Sequence, residues 1–322
     1  MDIELTALIG ESYSRAYSLM VRVQQLAELE EVIGYKESRD FPERQHLLRK
    51  VWKERLLGCQ RNVDTWQRIL AVRSLVLTPN EDMGMWLKFS SLCRKSGRIN
   101  LARKTLTTLL GTDPSKIPSA PIPTTVPRVA FAYIKHMWAT HAQKPAYERL
   151  RSFVPAIKDD ASLGARVHQK LGQWQLTLEN LGEGVIPQIV ASLQKATEYD
   201  PNWYKAWHSW AIANFQVKII FRNNNYIYLF IFQIVAHYEK LNSPIKTQYM
   251  VPSVKGFFRS IALNPSKSLQ DTLRLLSLMF KYGNLKEVES ALLEGFNTVS
   301  IDTWLQVIPQ VNYLYLYIYI YL

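Results

Sequence analysis

Pairs of basic residues at helical spacing are the feature of this sequence that could do chemistry. Lys88 and Lys95 are seven residues apart, and Arg166 and Lys170 are four apart, so each pair falls on one face of a helix. Like charges at this spacing cost a helix on the order of a few tenths of a kcal/mol, unless an anion joins them. The spacing alone favours a solvated charged face, and a multiply charged anion is the specific alternative.

The net charge points in the same direction but identifies no partner. The 322 residues include 39 Lys and Arg against 27 Asp and Glu, which gives a formal charge of +12. A balance this basic predicts an anionic ligand or an acidic neighbouring surface and says nothing about the fold. Charge is the only feature that suggests nucleic-acid binding, so we predict no nucleic-acid partner.

The sequence contains no recognisable motif for catalysis or metal binding. The two cysteines, Cys59 and Cys93, exclude a disulfide scaffold and a four-thiolate zinc site. No glycine-rich phosphate loop, His-Arg-Asp run or Asp-Phe-Gly run occurs. The histidines lack metal-ligand spacing; they are His46, His136, His141, His168, His208 and His237. We therefore predict neither catalytic residues nor a metal site in this chain.

The apolar runs are too short to cross a membrane. Tyr226–Ala236 and Val311–Leu322 are 11 and 12 residues long, whereas a spanning helix needs roughly 20 apolar residues. No N-glycosylation sequon occurs, and the first eight residues lack a basic n-region. We predict a protein of the reducing cytoplasm with no transmembrane segment.

Amphipathic helices must position the basic residues. Apolar residues recur three or four apart through Tyr13–Val32, Pro42–Leu57 and Asn62–Val76, with charged residues between them. Strand-like alternation is nearly absent before the C-terminal tail. The sequence therefore predicts an all-α protein.

One segment has the spacing of a tetratricopeptide repeat. Trp86, Ala102 and Pro114 occupy the Trp, Ala and Pro positions of that repeat, and Phe89 and Leu106 supply bulk at two others. A second unit ends at Pro201, 87 residues after Pro114, which is not a multiple of the 34-residue period. The fold class that this predicts is all-α, an irregular tetratricopeptide- or HEAT-like helical-repeat solenoid.

Seven blocks of the sequence resemble the target-of-rapamycin (TOR) kinase family, in the family's own order. They are Glu11–Tyr17, Gln25–Ile33, Arg55–Arg61, Trp86–Arg98, Trp203–His208, Gly256–Ser260 and Ile301–Gln310. They are similar to the FAT region, the helical-repeat solenoid that wraps the kinase domain in this family. The resemblance covers residues 1–310 with interruptions. It implies a scaffold of a serine/threonine protein kinase, with ATP and Mg²⁺ bound only by the kinase domain that this sequence lacks.

The resemblance also implies a ligand for the basic residues. FAT regions of TOR kinases hold an inositol polyphosphate among lysines and arginines, and inositol hexakisphosphate would act as a structural cofactor. The matching positions are Lys95, Lys135 and Arg166 most directly. Around them lie Lys88, Lys170 and Lys205. Ala139 stands where the family often has another lysine.

The same resemblance predicts partners and a location. The partners are the protein's own kinase domain and the subunits of a TOR complex, in the cytoplasm or at endomembrane and lysosomal surfaces. The alternative to this hypothesis is a stand-alone tetratricopeptide-type adaptor that binds peptides in its groove. A kinase domain encoded in frame downstream would discriminate the two.

Two stretches depart from the family pattern. Val217–Gln233 interrupts the similarity, and the codons of Val-Lys at its start and Phe-Gln at its end can carry splice-donor-like and acceptor-like strings. We interpret it as an in-frame retained intron. Residues 311–322 have the same composition, and we interpret them as a read-through to a stop codon.

Overall fold

A computed structural model describes residues 13–115, 122–157, 160–178, 185–220 and 243–307 of the chain. All regular structure within these ranges is helical, which confirms the all-α prediction. The chain divides into two compact units, Met1–Arg149 and Leu150–Leu322. The division falls within one helix, α7 (Gln143–Phe153).

Six further helices belong to the first unit. They are α1 (Tyr13–Glu37), α2 (Pro42–Gly58), α3 (Val63–Arg73), α4 (Met83–Lys95), α5 (Ile99–Leu110) and α6 (Pro127–Ala139). The second unit contains α8 (Ala161–Leu178), α9 (Ile186–Tyr199), α10 (Tyr204–Ile220), α11 (Ser243–Leu263), α12 (Leu269–Tyr282), α13 (Lys286–Phe296) and α14 (Ile301–Leu305). In both units, most helices that follow one another in the chain pack together, in a helical-repeat arrangement.

Local chemistry sets several helix boundaries. The Asn62 side chain caps α3 by accepting hydrogen bonds from the backbone N–H groups of Asp64 and Thr65, at 2.9 and 3.2 Å. Gly111 follows α5 with φ of 71°, a left-handed conformation that favours glycine. Proline begins α2 and α6, where the first helical position needs no backbone donor.

The predicted tetratricopeptide segment forms the hairpin of α4 and α5. Gly97, with φ of 77°, makes the turn between the two helices. Phe89 and Ala102 are 1% and 0% exposed, and the Trp86 ring meets Phe89 edge-on with ring centres 5.8 Å apart. The aromatic residues of α4 thus pack against the small residue of α5, as the repeat spacing predicts.

A buried ion pair joins α1 to α3. The Arg73 guanidinium donates to both carboxylate oxygens of Glu28, at 2.8 and 2.7 Å. The two side chains are only 2% and 1% exposed. The guanidinium carbon also lies 5.8 Å from the centre of the Trp52 ring on α2. The pair therefore fixes three helices at one point.

The second unit has the larger apolar cluster, to which helices α10 to α13 contribute. Its buried members are Ala211, Phe215, Met250, Val254, Phe257, Phe258, Ile261, Leu275, Leu278, Tyr282, Val288, Ala291, Leu292 and Val299. Helices α10 and α11 approach closely at Gly256. A Cβ atom there would lie 2.8 Å from the Ala211 Cβ and 3.1 Å from the Trp210 ring.

Both segments that we interpret as intron-derived extend outside the described residues. Helix α10 ends at Ile220, so only the first four residues of Val217–Gln233 belong to a described helix. The structure describes none of residues 311–322. Their interpretation stays a prediction.

We predict that Glu28→Gln destabilises the protein by about 3–5 kcal/mol, because it leaves the Arg73 charge buried and unpaired. Urea unfolding followed by circular dichroism measures this loss. The control is Asp64→Asn, which removes an ion pair with Arg98 whose members are 52% and 49% exposed, and should cost less than about 1 kcal/mol. Equal effects of the two variants would contradict a special role for the buried pair.

A second prediction concerns helix packing at glycine. Gly256→Ala should destabilise the second unit, since overpacking costs about 1–3 kcal/mol and exceeds the gain of about 1 kcal/mol in helix propensity. Gly34→Ala is the matched control, because nothing lies within 4 Å of its added Cβ. It should stabilise α1 by up to about 1 kcal/mol. The midpoint of urea unfolding measures both, and a stabilising Gly256→Ala would show that the approach is looser.

Candidate anion-binding site

Three of the predicted site residues lie in the first unit, on two helices that contact each other. Lys88 and Lys95 are exposed on α4, and α4 packs against α6, which carries Lys135. Lys135 is half-buried, with its Nζ atom 4.4 Å from the centre of the Phe131 ring. Among the described residues, no carboxylate pairs with Lys88 or Lys95. Both ammonium groups are therefore available to an anion.

The other three lie in the second unit, again on two helices in contact. Arg166 is exposed on α8, with its guanidinium carbon 5.8 Å from the Trp203 ring centre. Lys170, one turn further, donates a hydrogen bond to Gln173 Oε1 at 2.9 Å. Lys205 on α10 is exposed, with its Nζ atom 6.0 Å from the Tyr204 ring centre. Aromatic faces thus support two of the three cationic side chains.

The structure therefore places three of the six predicted residues in each unit, in both cases on two helices that contact each other. A ligand with several phosphates on a small ring needs charge-assisted donors from more than one helix. The six-residue site itself stays a prediction.

Sequence reasoning missed one further cationic side chain in the first unit, Arg94, and a buried histidine near it, His136. Arg94, beside Lys95, is half-buried on α4, and among the described residues no ion pair neutralises it. Burial lowers the pKa of His136 on α6, and the nearby charges of Arg94 and Arg103 lower it further. No sequence pattern marked either residue, because their proximity comes from the packing of α4, α5 and α6.

Comparison with known proteins identifies the family of this chain. The FAT domain model matches residues 1–277. The chain belongs to the FAT-domain family. It is 46% identical over 329 residues to the serine/threonine-protein kinase mTor of Drosophila melanogaster, in a match that covers 97% of this chain and 13% of the relative.

Other TOR kinases give similar matches to this FAT domain. The chain is 42% identical to TOR of Arabidopsis thaliana over 96% of its residues, and 38% identical to tor1 of Schizosaccharomyces pombe over 96%. It spans only 13 and 14% of their lengths. A solved structure of pilF of Pseudomonas aeruginosa matches 85% of this chain at 13% identity, with a TM-score of 0.35.

The buried carboxylate of Asp271 contacts a serine and a histidine, the residue types that form a catalytic triad in hydrolases. Asp271 Oδ2 lies 2.7 Å from His208 Nδ1 and accepts a hydrogen bond from the Ser260 hydroxyl at 2.9 Å. Arg274 donates to the other oxygen at 3.1 Å. In a nucleophilic triad the imidazole instead accepts the serine proton. Here the serine and the histidine both bond to the aspartate, so the cluster joins α10, α11 and α12.

The described part of the FAT domain contains no cluster of metal-ligand residues, and the pKa values of its two cysteine thiols are raised. No group of three or more His, Cys, Asp or Glu in those residues could hold a metal ion. Burial raises the pKa of the Cys93 thiol to about 11. Burial, followed by the Glu28 charge, also raises the pKa of Cys59. Within the ranges that the structure describes, no helix has the length and apolar character that a membrane span requires.

We predict that the two thiols react at very different rates with an aromatic disulfide reagent at pH 8. Cys93 is 0% exposed, and a pKa of about 11 leaves about one thiol in a thousand ionised at that pH. Cys59 is half-exposed. The folded protein should therefore release one equivalent of chromophore and the denatured protein two. Fast release of two equivalents from the folded protein would contradict the burial of Cys93.

Proposed function

We propose that this chain acts as the FAT-domain scaffold of a TOR serine/threonine kinase in nutrient and growth signalling. The observation that carries the proposal is the match of 46% identity across 97% of the chain to a kinase of that name. We assign phosphotransfer, with ATP and Mg²⁺, to the kinase portion of such a protein. The helices described above contribute no catalytic step.

The partners of this scaffold follow from the same relationship. We infer that its helices pack against the kinase domain and against subunits of a TOR complex, in the cytoplasm or at endomembrane and lysosomal surfaces. Exposed apolar side chains support an interaction role, since Leu26 and Ile33 on α1 are 57% and 56% exposed and one face of that helix carries both.

The ligand that best suits the basic residues is inositol hexakisphosphate. Its six phosphates on one ring need several charge-assisted donors. The chain offers Lys88, Lys95 and Lys135 in one unit and Arg166, Lys170 and Lys205 in the other. A small polyanion that engaged both helices of either group would link helices that are not adjacent in sequence. The ligand would then be structural, because it stabilises the folded state alone.

A thermal-unfolding experiment on the 322-residue chain tests this ligand. At a concentration about 100 times its dissociation constant, a ligand adds about 2.7 kcal/mol to stability. For a chain of 322 residues that raises Tm by roughly 4 °C. The double variant Lys95→Gln/Arg166→Gln should lose most of the shift.

The matched control is Lys50→Gln, which removes an exposed lysine from α2. It should keep the full shift, and an equal charge concentration of sulfate should not reproduce it. The absence of any shift in low salt would overturn the inositol phosphate proposal. An equal loss in Lys50→Gln would show that the polyanion binds by diffuse charge.

A further inference from the structure

A cleft of about 370 Å³ lies in the second unit, where α7 and the turn after it meet α8 and α9. Much of its wall is apolar: Val154 and Pro155 come from the 3₁₀ turn, Leu171 from α8 and Ala191 from α9. Small-molecule sites have volumes of about 300–1,000 Å³ and mostly apolar walls with a few polar groups. The cleft is at the small end of that range.

Two cationic side chains and a hydroxyl group border the apolar wall of the cleft. Arg151 and Lys195 line the cleft, and both are exposed. Neither forms an ion pair with any carboxylate among the described residues. Ser192 adds a hydroxyl group. The cleft therefore combines an apolar surface with two cations that form no ion pair with the residues that the structure describes.

His168 is the most unusual residue of the cleft. It is 6% exposed, and its Nδ1 atom has no hydrogen-bond partner within the described part of the chain. Its ring stacks on Tyr199, with ring centres 5.3 Å apart. Burial lowers its pKa and the Lys195 charge lowers it further, whereas the Glu198 charge raises it. The imidazole is thus neutral at pH 7 and offers polarity without charge.

The cleft is separate from the proposed inositol phosphate residues on the same helix. His168 is two residues from both Arg166 and Lys170, which places it about 200° around α8 from each. Arg166 contacts Trp203, before α10, whereas His168 contacts Tyr199, at the end of α9. A ligand in the cleft would therefore occupy the opposite side of α8.

We propose that this cleft binds a small organic anion with a flat apolar body and one carboxylate or phosphate group. The anionic group engages Arg151 and Lys195 through charge-assisted hydrogen bonds. The apolar body covers Val154, Pro155 and Leu171. An inorganic anion would leave that wall exposed to water, and an uncharged molecule would leave both cations without a counterion. Because the cleft has both an apolar wall and two cations, it favours an organic acid over an inorganic anion or an uncharged molecule.

Phenyl phosphate is the probe that tests the proposal, by titration calorimetry with the 322-residue chain. For a ligand of this size we expect a dissociation constant on the order of 10⁻⁴ to 10⁻³ M. Phenol lacks the anion and inorganic phosphate lacks the ring, so both should bind at least tenfold more weakly. Equal affinity for phenyl phosphate and inorganic phosphate would overturn the role of the apolar wall.

Three variants at exposed positions test the location. Arg151→Gln and Lys195→Gln should each weaken phenyl phosphate binding by about tenfold, the loss expected when one charge-assisted hydrogen bond is removed. Ala191→Phe should block the cleft and abolish binding. Circular dichroism checks that each variant keeps the helical spectrum of the parent chain.

The matched control is Lys267→Gln, which removes an exposed lysine of the same unit in the turn before α12. It should bind phenyl phosphate as the parent chain does. An equal loss in this variant, or unchanged binding in Ala191→Phe, would place the probe elsewhere and overturn the proposal. Inositol phosphate binding is a separate measurement, so the failure of either proposal leaves the other intact.

Discussion

The described helices bury their apolar faces against neighbouring helices. The apolar cluster of the second unit draws on four helices, and none of these could bury its share alone. The close approach at Gly256 shows how tight the contact is, because even one methyl group there would overlap Ala211. Helical-repeat proteins are stabilised by such neighbour contacts, which is why irregular spacing between repeats is tolerated.

Buried carboxylates form ion pairs with some of the basic side chains, and other basic side chains are exposed to solvent. Glu28 binds Arg73, and Asp271 binds His208 and Arg274. Lys88, Lys95 and Arg166 have no such carboxylate among the described residues. The net charge of +12 therefore becomes a surface property, and anions are the partners that it favours.

The sequence predicted the repeat hairpin of α4 and α5 because its signal is local. Trp86, Phe89 and Ala102 have the repeat spacing, and Gly97 has the backbone freedom that the turn requires. Helix ends were predicted less well. Helix α1 continues to Glu37, five residues past the predicted end at Val32, and α3 stops at Arg73 rather than Val76. Tertiary packing overrides local propensity at such ends, and Tyr35 in the extended part of α1 is only 5% exposed.

The sequence predicted some residues of the candidate sites, and only the structure revealed the others. The spacing of Lys88 with Lys95, and of Arg166 with Lys170, places each pair on one helix face, and helical periodicity alone determines that. The family resemblance supplied Lys135 and Lys205. Nothing in the sequence marked Arg94 beside His136, or the cleft between Arg151 and Lys195.

The sequence by itself thus determined the helical class, the family and which residues share a face of one helix. Those properties depend on residues a few positions apart. Only the tertiary structure decided which helices meet, that Glu28 pairs with Arg73 45 residues away, and that a cleft opens beside His168. Side-chain packing between distant segments sets these contacts, and no local periodicity encodes it.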